Sequence, residues 1–221
     1  MVIKPMVVDM FSGEHVEDFA EAYGFGIRGI IHKATEGRSF SDATYRARRK
    51  LACDDKLLWG AYHFFRPGDV KEQVDHFISV AEPDSATLMA LDHEDERVDA
   101  AAAREFMQRL ADRLGRKPVL YSGHLIKQQL DTDEDEFFGG HRLWHAQYGA
   151  RWSVQVSWEK PWLWQFTGDG IGPEPHRVPG IAAPGKGLDI NHYDGTPEQL
   201  AIEWAGQLAP VSLRHTETPA S

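Results

Sequence analysis

Thr87-Leu88-Met89-Ala90-Leu91-Asp92-His93-Glu94 decides how the rest of the chain is read. Four apolar residues run without alternation and stop abruptly in charge. Such a run reads as a strand buried on both faces, the kind found in a parallel sheet covered by helices. On either side lie amphipathic stretches, 70–80 upstream and 98–114 downstream, the second with Ala101, Phe106, Leu110 and Leu114 near helical spacing. The same alternation extends outward. Strands are expected at 6–8, 29–32, 57–65, 87–91 and 118–121, and helices at 16–23, 42–52, 70–80, 98–114 and 125–130. An acidic loop at 131–136 follows, then strands at 142–147, 162–166 and 188–191 with little helix between them. A last helix is expected over 197–207, with Thr196 as N-cap and Pro197 in its first position.

Strands alternating with helices imply βαβ units, and eight strands can close a barrel. The fold expected is therefore an α/β, irregular TIM-like (β/α) barrel whose helices thin out in the last third. No internal repeat or linker divides the chain. Residues 1–208 read as one catalytic domain and 209–221 as a flexible polar tail.

Composition narrows the function. With 42% hydrophobic and 26% charged residues the balance is that of a globular protein. Lys and Arg number 24 against 34 Asp and Glu, a net charge of −10. That argues against a nucleic-acid binder, which needs a basic face for phosphates. Cys53 is the single cysteine, so no intrachain disulfide forms, and it is expected to be a buried packing residue near a helix end. No apolar run approaches the ~20 residues of a membrane span, and the first residues lack the pattern of a signal peptide.

The polar residues at strand ends carry the chemistry. Asp9, Asp92, Glu94 and Asp189 each fall where an apolar run ends. In a parallel barrel those ends share one face, where active sites are built. Carboxylates brought together there raise one another's pKa and keep a general acid protonated. Asp92 and Glu94, two apart on a strand, point to the same side with Cα atoms roughly 6–7 Å apart. Glycosidases use such a pair, one carboxyl protonating the leaving oxygen and the other supporting the developing positive charge. The bland alternative is a solvated loop within Asp92-His93-Glu94-Asp95-Glu96.

Seven tryptophans favour the sugar reading. Trp144, Tyr148, Trp162, Trp164 and Phe166 lie at or just after strand ends, and aromatic faces stack on the C–H faces of sugars. Core packing explains any one of them as well, but Trp164 beside Gln165 is expected in the cleft. His63, His93, His141, His145 and His192 show no metal-binding spacing, and His93 should face away from the barrel interior. The glycine-rich stretch 168–172 lacks the context of a phosphate loop, and Ser122-Gly123-His124 is not a nucleophile elbow. Arg46, Arg48, Arg49 and Lys50 are expected to form the solvated face of an outer helix.

Taken in order, several stretches resemble the muramidases of glycoside hydrolase family 25. They are Val8-Asp9, Lys33-Ala34-Thr35-Glu36-Gly37, Gly60-Ala61-Tyr62-His63-Phe64, Gln73 with Phe77, Leu91-Asp92-His93-Glu94, Pro118-Val119-Leu120-Tyr121-Ser122, Leu143-Trp144-His145-Ala146-Gln147-Tyr148-Gly149, Trp164-Gln165-Phe166 and Leu188-Asp189-Ile190-Asn191. The resemblance covers about 7–193 and implies a lysozyme that cuts the β-1,4 bond between N-acetylmuramic acid and N-acetylglucosamine in peptidoglycan. It implies Glu94 as general acid and Asp92 as stabiliser of the intermediate, by orienting the substrate's N-acetyl group, with a substrate-assisted and an enzyme-bound intermediate both left open. Asp9 and Asp189 would shape the cleft. Tyr62, Lys33, Trp144, Tyr148, Trp164, Gln165 and Asn191 would contact substrate.

No cofactor or metal is called for. The expected partner is bacterial peptidoglycan, with no nucleic acid, no membrane and a monomeric enzyme. Action is expected at the cell wall, reached by lysis, by a dedicated secretion route or after removal of a leader. The sequence departs from the family in three places. Asp9-Met10-Phe11-Ser12-Gly13 is shorter than the usual polar stretch, His93 stands where an apolar residue is common, and Phe166 replaces a frequent tyrosine. The alternatives are a non-catalytic carbohydrate-binding barrel and a glycosidase acting on another N-acetylated polysaccharide.

Overall fold

A computed structural model describes residues 3–183, 185 and 187–206. The elements run β1 (Pro5–Met10), β2 (His15–Val16), α1 (Phe19–Phe25), β3 (Gly29–Glu36), β4 (Phe40–Ser41), α2 (Tyr45–Asp54), β5 (Leu58–Phe64) and α3 (Val70–Ala81). They continue with β6 (Leu88–Asp92), α4 (Ala100–Leu114), β7 (Val119–Ser122), α5 (His124–Leu130), α6 (Glu136–Gly139) and β8 (Leu143–Ala146). The last are β9 (Leu163–Thr167), β10 (Ile181–Ala182), β11 (Asp189–His192) and α7 (Pro197–Glu203).

Helix starts follow side-chain caps. Asp69, Asp99 and Thr196 accept backbone N–H groups of Glu72, Ala102 and Gln199 and so begin α3, α4 and α7. Thr196 and Gln199 complete a capping box, as the Thr–Pro start suggests. Caps also move two boundaries. Asp18 caps α1, so 15–16 is free to become β2, and the stretch expected as helix from 16 splits. Asp135 caps α6, a short helix at the end of the expected acidic loop.

The eight expected strands close the barrel in the order β1-β11-β9-β8-β7-β6-β5-β3, and β3 pairs back to β1. Seven strands are parallel. The eighth, β11, is antiparallel to both β1 and β9. Asp189 is therefore the first residue of β11 and not its end, but the reversal sets it opposite Asp9 at the same mouth. The cause is the 168–188 connection, which leaves β9 at the mouth and contributes no described helix to carry the chain back to the far end.

Two apolar clusters follow from strand alternation. Val7, Ile31, Leu88, Ala90, Val119, Tyr121, Trp144 and Leu163 fill the barrel. Val8, Ile30, Trp59, Met89, Leu91, Leu120 and Trp164 belong to a second cluster, which also holds Phe77, Phe106 and Leu110 of α3 and α4. At roughly 1.5–3 kcal/mol for each large side chain removed from water, these two layers hold the rim in place.

Two expectations fail here. Cys53 is exposed, because α2 turns its Ala52 inward and not its neighbour. The basic run on α2 is not one solvated face. Arg48 is buried and donates to the carbonyls of Phe11 and Glu14, and Arg49 donates to the carbonyls of Ala81 and Glu82. The expected tail 209–221 and the end of the 197–207 helix lie outside the described residues.

Candidate active site

β1, β6, β9 and β11 deliver their inward residues to one mouth. Asp9 is buried there and its carboxylate is fully engaged. Gln165 Nε2 donates to Oδ1 and Oδ2 at 3.0 and 3.1 Å, and Asn191 Nδ2 donates to Oδ1 at 2.7 Å. Both amides are themselves oriented. The Trp144 indole N–H, a donor only, binds Asn191 Oδ1 at 2.6 Å, and the Tyr121 hydroxyl donates to Gln165 Oε1 at 2.9 Å. Each amide is thereby forced to turn its NH₂ toward Asp9.

Asp92 is the opposite case. It is 4% exposed, and Oδ1 has no donor among the described residues. Its alternation with His93 is as expected. His93 points outward, buried against Phe65 with Nε2 paired to Gln129 at 2.8 Å. Glu94 follows β6 and opens to solvent at the rim.

The four carboxyls share a field but differ in what shifts them. Burial pushes Asp9 well above the ordinary carboxylate range, and the charge of Asp189 adds to this against the hydrogen bonds from Asn191 and Gln165. Burial also raises Asp92, reinforced by Glu94 and Asp9 and opposed by Lys33. Asp189 is pushed up to about 7 by burial, with Asp169 and Glu14 contributing. Glu94 rises because the crowded mouth strips part of its water, and Lys33, Arg66 and His124 oppose that rise. The expected source, like charge from neighbouring carboxylates, is not the main cause for any of the four.

A hollow of about 250 Å³ opens beside Glu94, lined by Tyr121, His124, Gln147, Tyr148 and Gln165 among others. A wider hollow of about 680 Å³ lies between Glu17, Phe25 and the segment around 174–187, and none of the four carboxyls lines it. Of the four carboxyls, Glu94 alone lines the smaller one.

The expected substrate contacts divide into three sets. Tyr62, Lys33 and Tyr148 reach the mouth. Tyr62 is half-buried on β5, and burial with the nearby Asp92 raises its hydroxyl. Lys33 pairs with Glu36 and lies 4.8 Å from the Phe64 ring centre. The Tyr148 hydroxyl donates to Asp189 at 3.4 Å. A Cβ on Gly168 would lie 2.1 Å from Asp189 Oδ1 and 2.4 Å from that hydroxyl, so glycine is required for this approach. Trp144, Gln165 and Asn191 are fully buried and act on Asp9 from below. Trp164 does not reach the cleft. It is 1% exposed, packs against Phe166 and His192 and donates to the Gln147 carbonyl. Because Gln165 turns inward, alternation turns Trp164 out.

Four residues of the site escape sequence reasoning. Tyr121 is paired with Asp92 in the β6–β7 register, a parity that could have found it. Glu14 binds the Phe11 N–H at 2.7 Å and contributes charge at Asp9 and Asp189. Glu36 and Arg66 form a rim with Asp95, Arg66 bridging the two acids at 2.7 and 2.8 Å. No local motif marks these.

Residues 8–174 match the family described as Glycosyl hydrolases family 25. The N,O-diacetylmuramidase of Chalaropsis sp. is 31% identical over 179 residues, 71% of this chain and 85% of that protein. The uncharacterized protein YegX of Escherichia coli strain K12 is 28% identical over 187 residues, 80% of this chain and 63% of that protein. The chain thus spans less than two thirds of that relative's length. In structure, the bacterial lysozyme from Streptomyces coelicolor aligns with a TM-score of 0.79 at 22% identity, covering 93% of this chain and 99% of that one. At that identity the likeness is one of fold.

Proposed function

Given that this chain belongs to glycosyl hydrolase family 25, we propose that it is a lysozyme-type muramidase. Its substrate is bacterial peptidoglycan, and the bond cut is the β-1,4 link from N-acetylmuramic acid to N-acetylglucosamine. The observation that carries this reading is the bare carboxyl of Asp92 two residues before the solvent-facing carboxyl of Glu94. A buried polar atom without a partner is costly, and a substrate N–H would satisfy it.

Glu94, raised by desolvation and open to the hollow, protonates the leaving oxygen. Asp92 accepts the N–H of the substrate's N-acetyl group, which turns that group's oxygen toward the anomeric carbon and stabilises the charge developing there. Tyr62 lies against the same N-acetyl group or the intermediate it forms. Asp9 and Asp189 shape the cleft, and Tyr148 and Lys33 contact the glycan. No step calls for a metal or cofactor.

The test is digestion of purified peptidoglycan, reduction of the products with borohydride and identification of the new sugar end by mass. Reduced N-acetylmuramic acid is expected. Reduced N-acetylglucosamine would assign the other bond, and no new end at all would make the barrel a binding module.

A further inference from the structure

The short loop that departs from the family pattern presents an aromatic ring in a fixed pose. Phe11 lies just past the end of β1, two residues after Asp9, and is 44% exposed. Its N–H donates to Glu14 Oε2 at 2.7 Å, and its carbonyl accepts from Arg48 at 2.5 Å. Arg48 also donates to the Glu14 carbonyl, and the Ser12 N–H donates to Asp42 at 2.8 Å. The ring lies over Gly13, where a Cβ would fall 2.3 Å from it. Phe11, Ser12 and Glu14 are thus tied by side chains of α2 and its approach, while the ring they carry is left in water.

A second ring stands on the strand those ties lead to. Phe40, on β4, is 49% exposed and lies two residues before Asp42. The Lys33 ammonium sits 5.6 Å from its centre. Leaving two phenyl groups in water on rigid backbone forgoes the burial that large apolar side chains gain in a core.

We propose that Phe11 and Phe40 are sugar-stacking platforms that hold pyranose units of the glycan strand beyond the pair being cleaved, so that the lip formed by β1 and β3 selects long strands over short ones. This rests on the glycan-cleaving reading above. The occupant is a sugar because the lip continues the carboxylate-lined mouth from Asp9 outward. A phenyl face meets the C–H face of a pyranose without adding charge, which suits a chain of net charge −10 reaching an anionic polymer.

The experiment measures kcat and KM on soluble peptidoglycan glycan strands of graded length, for wild type, Phe11→Ala, Phe11→Trp and Phe40→Ala. On long strands each alanine variant should raise KM roughly three- to tenfold, the scale of one lost aromatic contact, with kcat retained. The penalty should vanish on the shortest strand that is cut, and Phe11→Trp should restore KM. An unchanged KM on long strands, or an equal penalty at every length, overturns the platform. So does a wild-type dimer in sedimentation that Phe11→Ala dissociates, since the lip would then be an interface between copies. Wild-type protein that cuts no strand overturns the muramidase reading and the platform with it, a result distinct from an active enzyme indifferent to Phe11.

Discussion

The two walls of the mouth handle the same functional group in opposite ways. On the β1–β11–β9 wall, Asp9 has its carboxylate tied by two amides, and these in turn are held by an indole and a phenol. On the β6 wall, Asp92 is equally buried and its Oδ1 is left bare. A tied carboxylate is framework whose bonds are made on folding. A bare one keeps its bonding capacity for something that arrives later. Burial alone would not separate the two residues; the count of donors does.

The largest expected effect lies on the bare wall. Glu94→Gln keeps the shape of the side chain but has no proton to donate. General acid assistance is typically worth 10²–10⁴-fold, so the initial rate on peptidoglycan should fall by about that factor while the thermal unfolding midpoint is kept, because Glu94 is exposed. A variant retaining more than about a tenth of the wild-type rate would remove Glu94 as the acid and dissolve the contrast between the walls.

Asp92→Asn and Asp9→Asn sharpen the comparison, since activity and stability should separate. Asp92→Asn should lose most activity, and more than Asp9→Asn or Asp189→Asn. It should nevertheless raise stability by roughly 0.5–2 kcal/mol, the scale of removing an unfavourable active-site group. Asp9→Asn puts an NH₂ against the donors of Gln165 and Asn191, or leaves one of them unbonded, and should cost about 1–3 kcal/mol. For a chain of this length each kcal/mol moves the midpoint by about 2–4 °C. Shifts of the same sign in the two variants would show that the walls do not differ as described.

The barrel was legible because its signal is long-range and repeated. Each apolar run ends in a polar residue, and parity alone puts Asp92 and Glu94 on one side of the chain and His93 on the other. Asp9 and Asp189 were legible as ends but not as partners, because the antiparallel entry of β11 depends on a 168–188 connection without periodicity. Trp164 was misjudged for a related reason. Aromatic content suggests a sugar surface, but only the phase of β9, set by Gln165 bonding to Asp9, decides which aromatic faces in. Glu14, Glu36 and Arg66 were invisible, since their roles arise from loops meeting across the rim.

Stability against pH tests the buried groups of both walls together. Asp9, Asp92 and Asp189 have folded pKa values raised above their unfolded ones, so their contribution is present at acid pH and lost as pH rises, for Asp189 through about 7. Behind the strands, burial lowers His32 to about 4 and His63 to about 3, so their contribution is present above the ordinary 6.5 and lost as pH falls toward those values. The two sets titrate in overlapping windows with opposite signs, and above the ordinary histidine value of 6.5 only the carboxyls are still losing stability. The unfolding midpoint should therefore fall as pH rises past about 6.5, and Asp189→Asn should make the slope shallower from the ordinary carboxylate range up to about 7. A slope unchanged across that whole range by the substitution would place the titration elsewhere.

The smallest expected effect concerns salt, and it asks whether the net negative charge or some local basic patch governs the meeting with a wall. The net charge is −10, and bacterial walls are anionic. Repulsion between them is screened over a Debye length of about 10 Å at 0.1 M, so added salt should leave the rate on whole walls unchanged or raise it. The basic run on α2 would reverse this only if its charges faced outward unpaired. They do not: Arg46 pairs with Glu82, Lys50 with Asp54 and Arg49 with Asp84, and Arg48 is buried beneath the Phe11 loop. Nearer the mouth, Lys33 pairs with Glu36, and Arg66 is shared between Glu36 and Asp95. The measurement is the initial rate on whole walls at one mildly acidic pH, from low to physiological salt, beside the rate on short soluble fragments. The fragments should be indifferent to salt, because steering acts on the approach to an extended charged surface. A steep fall on walls would mean that local positive charge, that of the rim of Lys33 and Arg66, draws the enzyme in despite its net charge.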